Sequence, residues 1–243
     1  MRIPRIYTPN ALSSDTLVDL DESSSRHLAS VLRMPAGQQV ILFNGQGGEY
    51  SGELVNVKKN RVSVSISTFI ACDRESPLKI HLAIGVSRGD RMDWVIQKAT
   101  ELGVTAITPL FTERTEVKLN AERLKKKTRH WQHVAISACE QCQRTLVPLV
   151  NPAMPLEQWV VADNHSLKLV LHHRTERNLG EFCNTNSLVS LLVGPEGGLS
   201  DSEIDLSLNS GFEPLTLGPR VLRTETAPLA AISILQSLWG DMG

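Results

Sequence analysis

Two stretches near the end of the chain, LLVGPEGGLS (Leu191–Ser200) and LTLGPRVLRTETA (Leu215–Ala227), constrain its fold more than anything else in it. Each begins as a short apolar run of strand type, breaks at a Gly-Pro turn and opens toward a helix. Ser200 and Glu203 form a capping box that starts one helix, and APLAAISILQSLW (Ala227–Trp239) supplies the other. Two glycine-rich loops therefore belong at the carboxyl ends of two strands. In an α/β sheet that rim binds small ligands, because backbone N–H groups and helix N-termini face outward there. Gly194, Gly197, Gly198 and Gly218 have no Cβ, which lets backbone approach a ligand or take positive φ, while Pro195 and Pro219 fix φ in the turns. Arg220, Arg223 and Glu225 add charge to the second loop.

The rest of the chain divides near the polar stretch Cys72–Pro77. Before it, QVILF (Gln39–Phe43), EYSGELVNV (Glu49–Val57) and RVSVSIST (Arg61–Thr68) alternate as short strands with Asn44-Gly45 and Lys59-Asn60 turns, and one helix is expected around Ser25–Arg33. That pattern predicts a small β-barrel over residues 1–72. Beyond it, strands and helices alternate over residues 73–243. Strands are expected at Leu78–Val86, Val104–Phe111, Leu167–His173, Ser187–Gly194 and Pro214–Gly218. Helices are expected at Asp90–Leu102 (closed by Gly103), about Asn120–Gln143, and from Pro155 as a first helical residue. Such alternation means an α/β domain with a mainly parallel sheet and helices on both faces.

Composition excludes several classes. No apolar run approaches the ~18 residues of a membrane span. The first residues carry Arg2, Pro4, Arg5 and Pro9 in place of a signal core, so a cytoplasmic location is expected. Formal net charge is −1, so bulk electrostatics does not point to nucleic acid, although Thr112–His130 holds seven Lys/Arg against three Glu. The four cysteines, Cys72, Cys139, Cys142 and Cys183, show no disulfide framework. His130, His133, Cys139 and Cys142 suggest a metal set. On one helix, however, nine residues turn through ~900° and rise ~13 Å, which puts His130 and Cys139 on opposite faces, so no metal is expected. There is no G-x-x-x-x-G-K-[ST] and no strand followed by G-x-G-x-x-G, which argues against ATP hydrolysis and nicotinamide chemistry. His172-His173 has no evident acidic partner in sequence.

At the two loops the chain resembles RsmE-type 16S ribosomal RNA uridine-N3 methyltransferases of the SPOUT superfamily. GPEGGLSDSEI and LGPRVLRTETA look like that family's signature loops. MRIPRIY, HLASVLRMPAGQQVILFNGQGGEY (His27–Tyr50), IQKATELGVTAITPLFTER (Ile96–Arg114) and ACEQC (Ala138–Cys142) extend the likeness over nearly the whole chain. The resemblance implies a PUA-like RNA-binding barrel over residues 1–72 and a SPOUT methyltransferase domain with a C-terminal trefoil knot over residues 73–243. It also implies S-adenosylmethionine as cofactor, a homodimer with active sites at the subunit interface, and 16S rRNA as partner; modest overall basicity adds the expectation that assembled small subunits are better substrates than naked RNA. The implied cofactor pocket is Leu171, His172, Gly194, Pro195, Glu196, Gly197, Gly198, Leu217, Gly218, Val221, Leu222, Thr226 and Ala227.

The residues fit such chemistry. Loop glycines with apolar neighbours suit an adenosine-type ligand held by backbone hydrogen bonds. Methyl transfer to N3 of uracil requires loss of the N3 proton, so the site must favour the uracil anion or supply a base. Arg223 is expected to stabilise that charge, since its fork keeps its protons, and Glu225 either accepts the proton or orients Arg223. The competing reading is an ion-pair cluster of Arg220, Arg223 and Glu225 that pins the loop. Arg220, Lys98, Arg5, Arg26, His27 and Arg33 are candidates for RNA contact, and Lys98 with Glu101 equally suits an intrahelical ion pair. The alternatives in function are a methyltransferase acting on ribose 2′-oxygen or another RNA, and a non-catalytic RNA-binding assembly factor.

Overall fold

Apolar side chains recur at every second position in the N-terminal stretch, and the backbone there is a five-stranded sheet. In chain order the elements are β1 (Arg5–Tyr7), β2 (Leu17–Asp19), α1 (Glu22–Arg26), β3 (Gln39–Phe43), β4 (Glu49–Lys58) and β5 (Arg61–Ile70). The computed structural model describes residues 3–117, 120–165, 167–172, 175, 177–182 and 188–243. It resolves the chain into two units, one holding residues up to Glu75 with Cys139–Val147, the other Ser76–Ala138 with Pro148–Gly243.

In the first unit the strand order is β1-β3-β4-β5-β2. Val62, Val64 and Ile66 of β5 point inward with Val40, Leu42, Leu54 and Leu28, forming one core. Gly52 lies at an irregularity of the β4–β5 ladder, where an added Cβ would stand 2.8 Å from the Ser65 carbonyl oxygen. Only glycine lets the strands approach there. The helix expected over Ser25–Arg33 starts earlier, at Glu22, ends at Val31 and is mixed. Asp21 caps α1, and a π-helical turn over His27–Val31 follows it.

The second unit contains β6 (Lys79–Gly85), α2 (Arg91–Glu101), β7 (Ala106–Phe111), α3 (Ala121–Cys142, whose last residues belong to the first unit), β8 (Leu149–Val150), β9 (Met154–Pro155), α4 (Leu156–Ala162), β10 (Leu167–Leu171), β11 (Leu188–Val193), α5 (Asp201–Asn209), β12 (Glu213–Leu215) and α6 (Thr226–Trp239). Its sheet is seven-stranded and parallel, in the order β12-β10-β11-β6-β7-β8, with β9 pairing β7. Alternate strand residues feed two cores. Ile80, Leu82, Ile84, Val189 and Leu191 meet residues of α2 and α6, while Ala83, Val170 and Leu192 meet Leu156, Trp159 and Ile204 of α4 and α5. Helices thus cover both faces, as buried parallel strands require. Pro155 is the N-cap of α4 and not its first helical residue. The last strand ends at Leu215, short of Gly218, where its pairing with β10 stops at Leu171, and the Thr216 hydroxyl beyond it donates to the Gly218 carbonyl. Gly103 closes α2 at φ +88°. No helix among the described residues is long and apolar enough to cross a membrane. His173 and Cys183 lie outside the described residues.

Candidate cofactor and active site

Three neighbouring strands, β12, β10 and β11, end at one rim of the second unit's sheet, and both glycine loops leave from it. After Val193 the first loop folds into a turn closed by the Gly198 N–H donating to the Pro195 carbonyl (2.8 Å), with Gly198 at φ +69°. A Cβ on Gly194 would lie 2.9 Å from the Leu199 nitrogen, so this turn closes only over glycine. Pro195 is buried because Gly85, at the end of β6, leaves room for it. A Cβ on Gly85 would sit 2.5 Å from the Pro195 nitrogen. The loop ends at the Ser200–Glu203 capping box, and Glu203 also accepts the Glu113 N–H at 2.8 Å.

The second loop starts where the His172 N–H meets the Leu215 carbonyl. Gly218 sits at φ +98°, and the loop closes with the Thr226 and Ala227 N–H groups on the Arg223 carbonyl. Between the two loops lies a cavity of roughly 320 Å³, within the size range of small-molecule sites.

The cavity brings together most of the residues expected there. Leu171, His172, Gly194, Glu196, Gly197, Gly198, Leu217, Gly218, Val221, Leu222 and Ala227 line it; Pro195, buried under the loop, and the exposed Thr226 do not. Arg220, expected at RNA, lies on its wall. Thr224, within the expected span Leu217–Ala227, lines it too, and Val193, Leu199, Ile204, Leu215, Thr216, Asp201 and Arg114 line it without having been expected there. Val193, Leu199, Leu215 and Thr216 lie inside the two stretches themselves, yet nothing local marked them as wall residues. Arg114, which closes the TER stretch after β7, reaches the site only through tertiary folding. Its Nη1 donates to the carbonyls of Gly197 (2.9 Å) and Leu199 (3.2 Å).

Glu196 lines the cavity and is also tied to residues outside the loop. It accepts the Arg88 N–H at 3.1 Å and pairs with Arg91 at 3.0 Å. Burial raises its carboxyl pKa, but backbone hydrogen bonds and Arg91 outweigh that and the net shift is downward. Arg223 and Glu225 stand outside the cavity lining, Arg223 exposed and Glu225 half-buried. Neither side chain has a partner among the described residues, and no ion pair joins Arg220, Arg223 and Glu225. The ion-pair cluster that would have pinned this loop is absent among the described residues.

A model of the RNA methyltransferase domain matches residues 74–236, and one of the RNA methyltransferase PUA domain matches residues 20–67. The ribosomal RNA small subunit methyltransferase E of Buchnera aphidicola (subsp. Schizaphis graminum) is 36% identical over 99% of this chain and 98% of its own. That of Bacillus subtilis is 35% identical over 86% and 85%. This chain belongs to the ribosomal RNA small subunit methyltransferase E family. Among solved structures, a methyltransferase of Legionella pneumophila in complex with S-adenosylmethionine superposes with TM-score 0.97 at 45% identity, covering 99% of this chain and 100% of that one. The family member from Neisseria gonorrhoeae, bound to S-adenosylmethionine, gives 0.93 at 40% identity, covering 100% of each. The fold is the parallel α/β methyltransferase fold of SPOUT type with an N-terminal PUA-like domain.

The remaining candidates of this family member fall into three situations. Arg5 is a correction: its side chain is 6% exposed, pairs with Glu49 at 3.0 Å, donates to the Cys139 and Arg144 carbonyls and stacks on Phe43. A guanidinium spent on internal partners cannot grip a phosphate. Lys98 lies on α2 and pairs with Glu101 at 2.8 Å, the intrahelical alternative. Arg26, His27 and Arg33 are exposed, Arg26 paired with Glu22 on the surface and Arg33 in the left-handed region at φ +52°.

For a metal, His130 pairs with Asp93 and Cys139 donates to the Leu146 carbonyl. The described residues do gather His81, Asp163 and His165, with donor atoms within 4.8 Å of one another, a group sequence reading did not consider. It sits on β6 and after α4, away from the cavity lining. Its members already bond one another and Thr108. His165 meets Asp163 at 2.5 Å, and His81 meets Thr108 at 2.7 Å. Burial, with His165 nearby, lowers the His81 pKa to about 4, so its ring is neutral at pH 7.

Proposed function

We propose that this protein is an S-adenosylmethionine-dependent methyltransferase that methylates N3 of one uridine in 16S ribosomal RNA. The observation that carries this reading is the cavity between the two glycine loops, in a chain 45% and 40% identical to proteins solved with that cofactor. The cavity fits the group. Its apolar wall of Leu171, Val193, Leu199, Leu215, Leu217 and Leu222 suits an adenine ring, and the positive-φ glycines expose backbone to polar atoms. Bound there, the cofactor supplies a methyl group on a sulfonium.

The chain's own groups hold, orient and handle charge. The first loop and Leu217–Ala227 hold the cofactor. Arg223, with no partner among the described residues, stabilises negative charge on O2 or O4 of the uracil as N3 loses its proton. Glu225 accepts that proton or orients Arg223. Arg220 at the rim, with Arg26, His27 and Arg33 of the first unit, contacts RNA phosphate. The N-terminal residues 1–72 act as the RNA-binding module, residues 73–243 as the knotted methyltransferase domain.

The working form is a cytoplasmic homodimer acting on the assembled small subunit. Val221 of the second loop is 79% exposed, and Ile234 and Leu238 of α6 are 40% and 50% exposed, apolar surface that suits burial against a second copy. Calorimetry should show S-adenosylmethionine binding with no RNA present. Ribosomal RNA from cells lacking the protein should lose one strong reverse-transcriptase stop, restored by adding it back, since N3 methylation blocks the Watson–Crick edge. A methyl placed on ribose by mass spectrometry would overturn the N3 assignment.

A further inference from the structure

Arg114 belongs to neither glycine loop, yet it is built into the first. Its Nη1 donates to both the Gly197 and Leu199 carbonyls, and its Cβ lies 3.1 Å from where a Cβ on Gly197 would stand. The turn that carries it is fastened twice more to the first turn of α5, which follows that loop, by the Glu113 N–H on Glu203 and by the Ser202 hydroxyl on Glu113 (2.9 Å). The guanidinium is thus held in one place by one of its nitrogens. Its Nε–H and its two Nη2–H groups have no partner among the described residues. The side chain lines the cavity and is exposed at the same time, so it stands on the cavity's rim.

A fixed, part-satisfied guanidinium at a rim has a limited set of uses. Its planar fork matches a phosphate or a carboxylate. S-adenosylmethionine has a net positive charge, so a second cation beside it is repelled except at the carboxylate end. A phosphodiester approaching from solvent meets no such opposition. Resting on the methyltransferase reading above, we propose that Arg114 is an RNA-binding residue of the methyl-transfer site. It grips a backbone phosphate next to the target nucleotide and couples that contact to the cofactor loop through the Gly197 and Leu199 carbonyls. Phosphate contacts set register on an RNA, so this one would position the base over the cavity.

The test compares wild type, Arg114→Gln and Arg114→Lys, each measured for S-adenosylmethionine binding by calorimetry and for binding of the cofactor-loaded protein to small subunits from cells lacking it. Glutamine removes the charge and keeps a polar amide on a shorter side chain, and the cofactor measurement reads whether the loop is disturbed. Arg114→Gln should bind cofactor within about threefold of wild type and small subunits at least tenfold more weakly. Its log affinity should depend on log salt with a slope shallower by about 0.7–0.9, the loss of one phosphate contact. Arg114→Lys should recover the salt slope and part of the affinity. Unchanged RNA affinity in Arg114→Gln overturns the proposal. So does a loss confined to cofactor affinity, which would assign Arg114 to the cofactor's carboxylate or to loop structure alone. Methyl transfer by wild type is followed in parallel; its failure would count against the enzymatic reading, while the two binding measurements judge Arg114 by themselves.

Discussion

The two glycine loops share a sequence style and differ in how they are held. The first, Gly194–Ser200, is tied at almost every step: Pro195 under Gly85, Glu196 to Arg91 and the Arg88 N–H, Gly197 and Leu199 to Arg114, Ser200 to Glu203. The second, Thr216–Glu225, is closed by backbone and hydroxyl bonds at its ends, and Arg220, Arg223 and Glu225 have no partners among the described residues. The difference teaches a division of labour. A loop fixed before the ligand arrives loses little entropy on binding and suits a cofactor. A loop whose charges are unspent keeps them for a substrate that must be bound, reacted and released.

The comparison breaks most decisively at Arg223. Arg223→Ala should lower kcat by about 100- to 1,000-fold, the usual cost of removing one donor to developing negative charge. Cofactor affinity should stay within about threefold. Methyl transfer to small subunits, alongside calorimetry with S-adenosylmethionine, gives both numbers. A collapse of cofactor affinity would make the Arg223 side chain itself part of the cofactor clamp and erase the distinction.

Gly194→Ala tests the other side. The new Cβ would stand 2.9 Å from the Leu199 nitrogen and 3.0 Å from the Gly198 carbonyl carbon, both backbone atoms that cannot swing away. Cofactor affinity should fall by at least tenfold, about 1.4 kcal/mol. Gly218→Ala, in the second loop, meets open space, so only its φ of +98° resists the change. It should cost less. Equal losses at the two glycines would mean the loops are equally constrained.

These loops were legible in sequence for the same reason they are testable. Gly-Pro turns and the Ser200–Glu203 box are local chemistry, written within a few residues. The parallel sheet was legible too, because β6, β7, β10 and β11 are buried runs between helical patterns. Short strands escaped: β1, β2, β8 and β9 have two or three residues each, too few for any periodicity. Arg114, Asp201 and Ile204 escaped as wall residues because the fold brings Arg114 to Gly197 across 83 positions, and the start of α5 presents the exposed Asp201 and the buried Ile204 to the cavity. Arg5 misled for the same reason. Its charge looked available until Glu49, 44 residues on, took it up inside the first unit.

A smaller effect is expected where the first loop meets α5. Ser200→Ala removes the hydroxyl that accepts the Glu203 N–H, so helix capping worth about 1 kcal/mol is lost. For a chain of this size the melting temperature should drop by about 2–4 °C. Cofactor affinity should weaken in step if the cap also holds the loop. A drop in melting temperature with unchanged affinity would show that the loop's shape comes from Arg114 and Pro195 and owes nothing to the helix start.

The smallest expected effect concerns Glu196, the most conspicuous charge on the first loop. Its partner Arg91 is 47% exposed and Glu196 itself 32%, so solvent screens the pair and it is worth about 0–1 kcal/mol. Glu196→Gln keeps an acceptor for the Arg88 N–H and should reduce cofactor affinity by no more than about fivefold at pH 7. The pH dependence gives the sharper reading. The carboxyl pKa is lowered in the fold, so its contribution is complete above the ordinary glutamate value of 4.5 and disappears as pH falls through the folded value. Wild type should therefore lose a small increment of stability below pH 4.5 that Glu196→Gln has already lost, and the two unfolding curves should converge there. Curves that stay parallel would mean the carboxylate contributes only hydrogen bonds that glutamine also makes. The first loop would then be held by its backbone geometry and Arg114 alone, with no electrostatic share from Arg91.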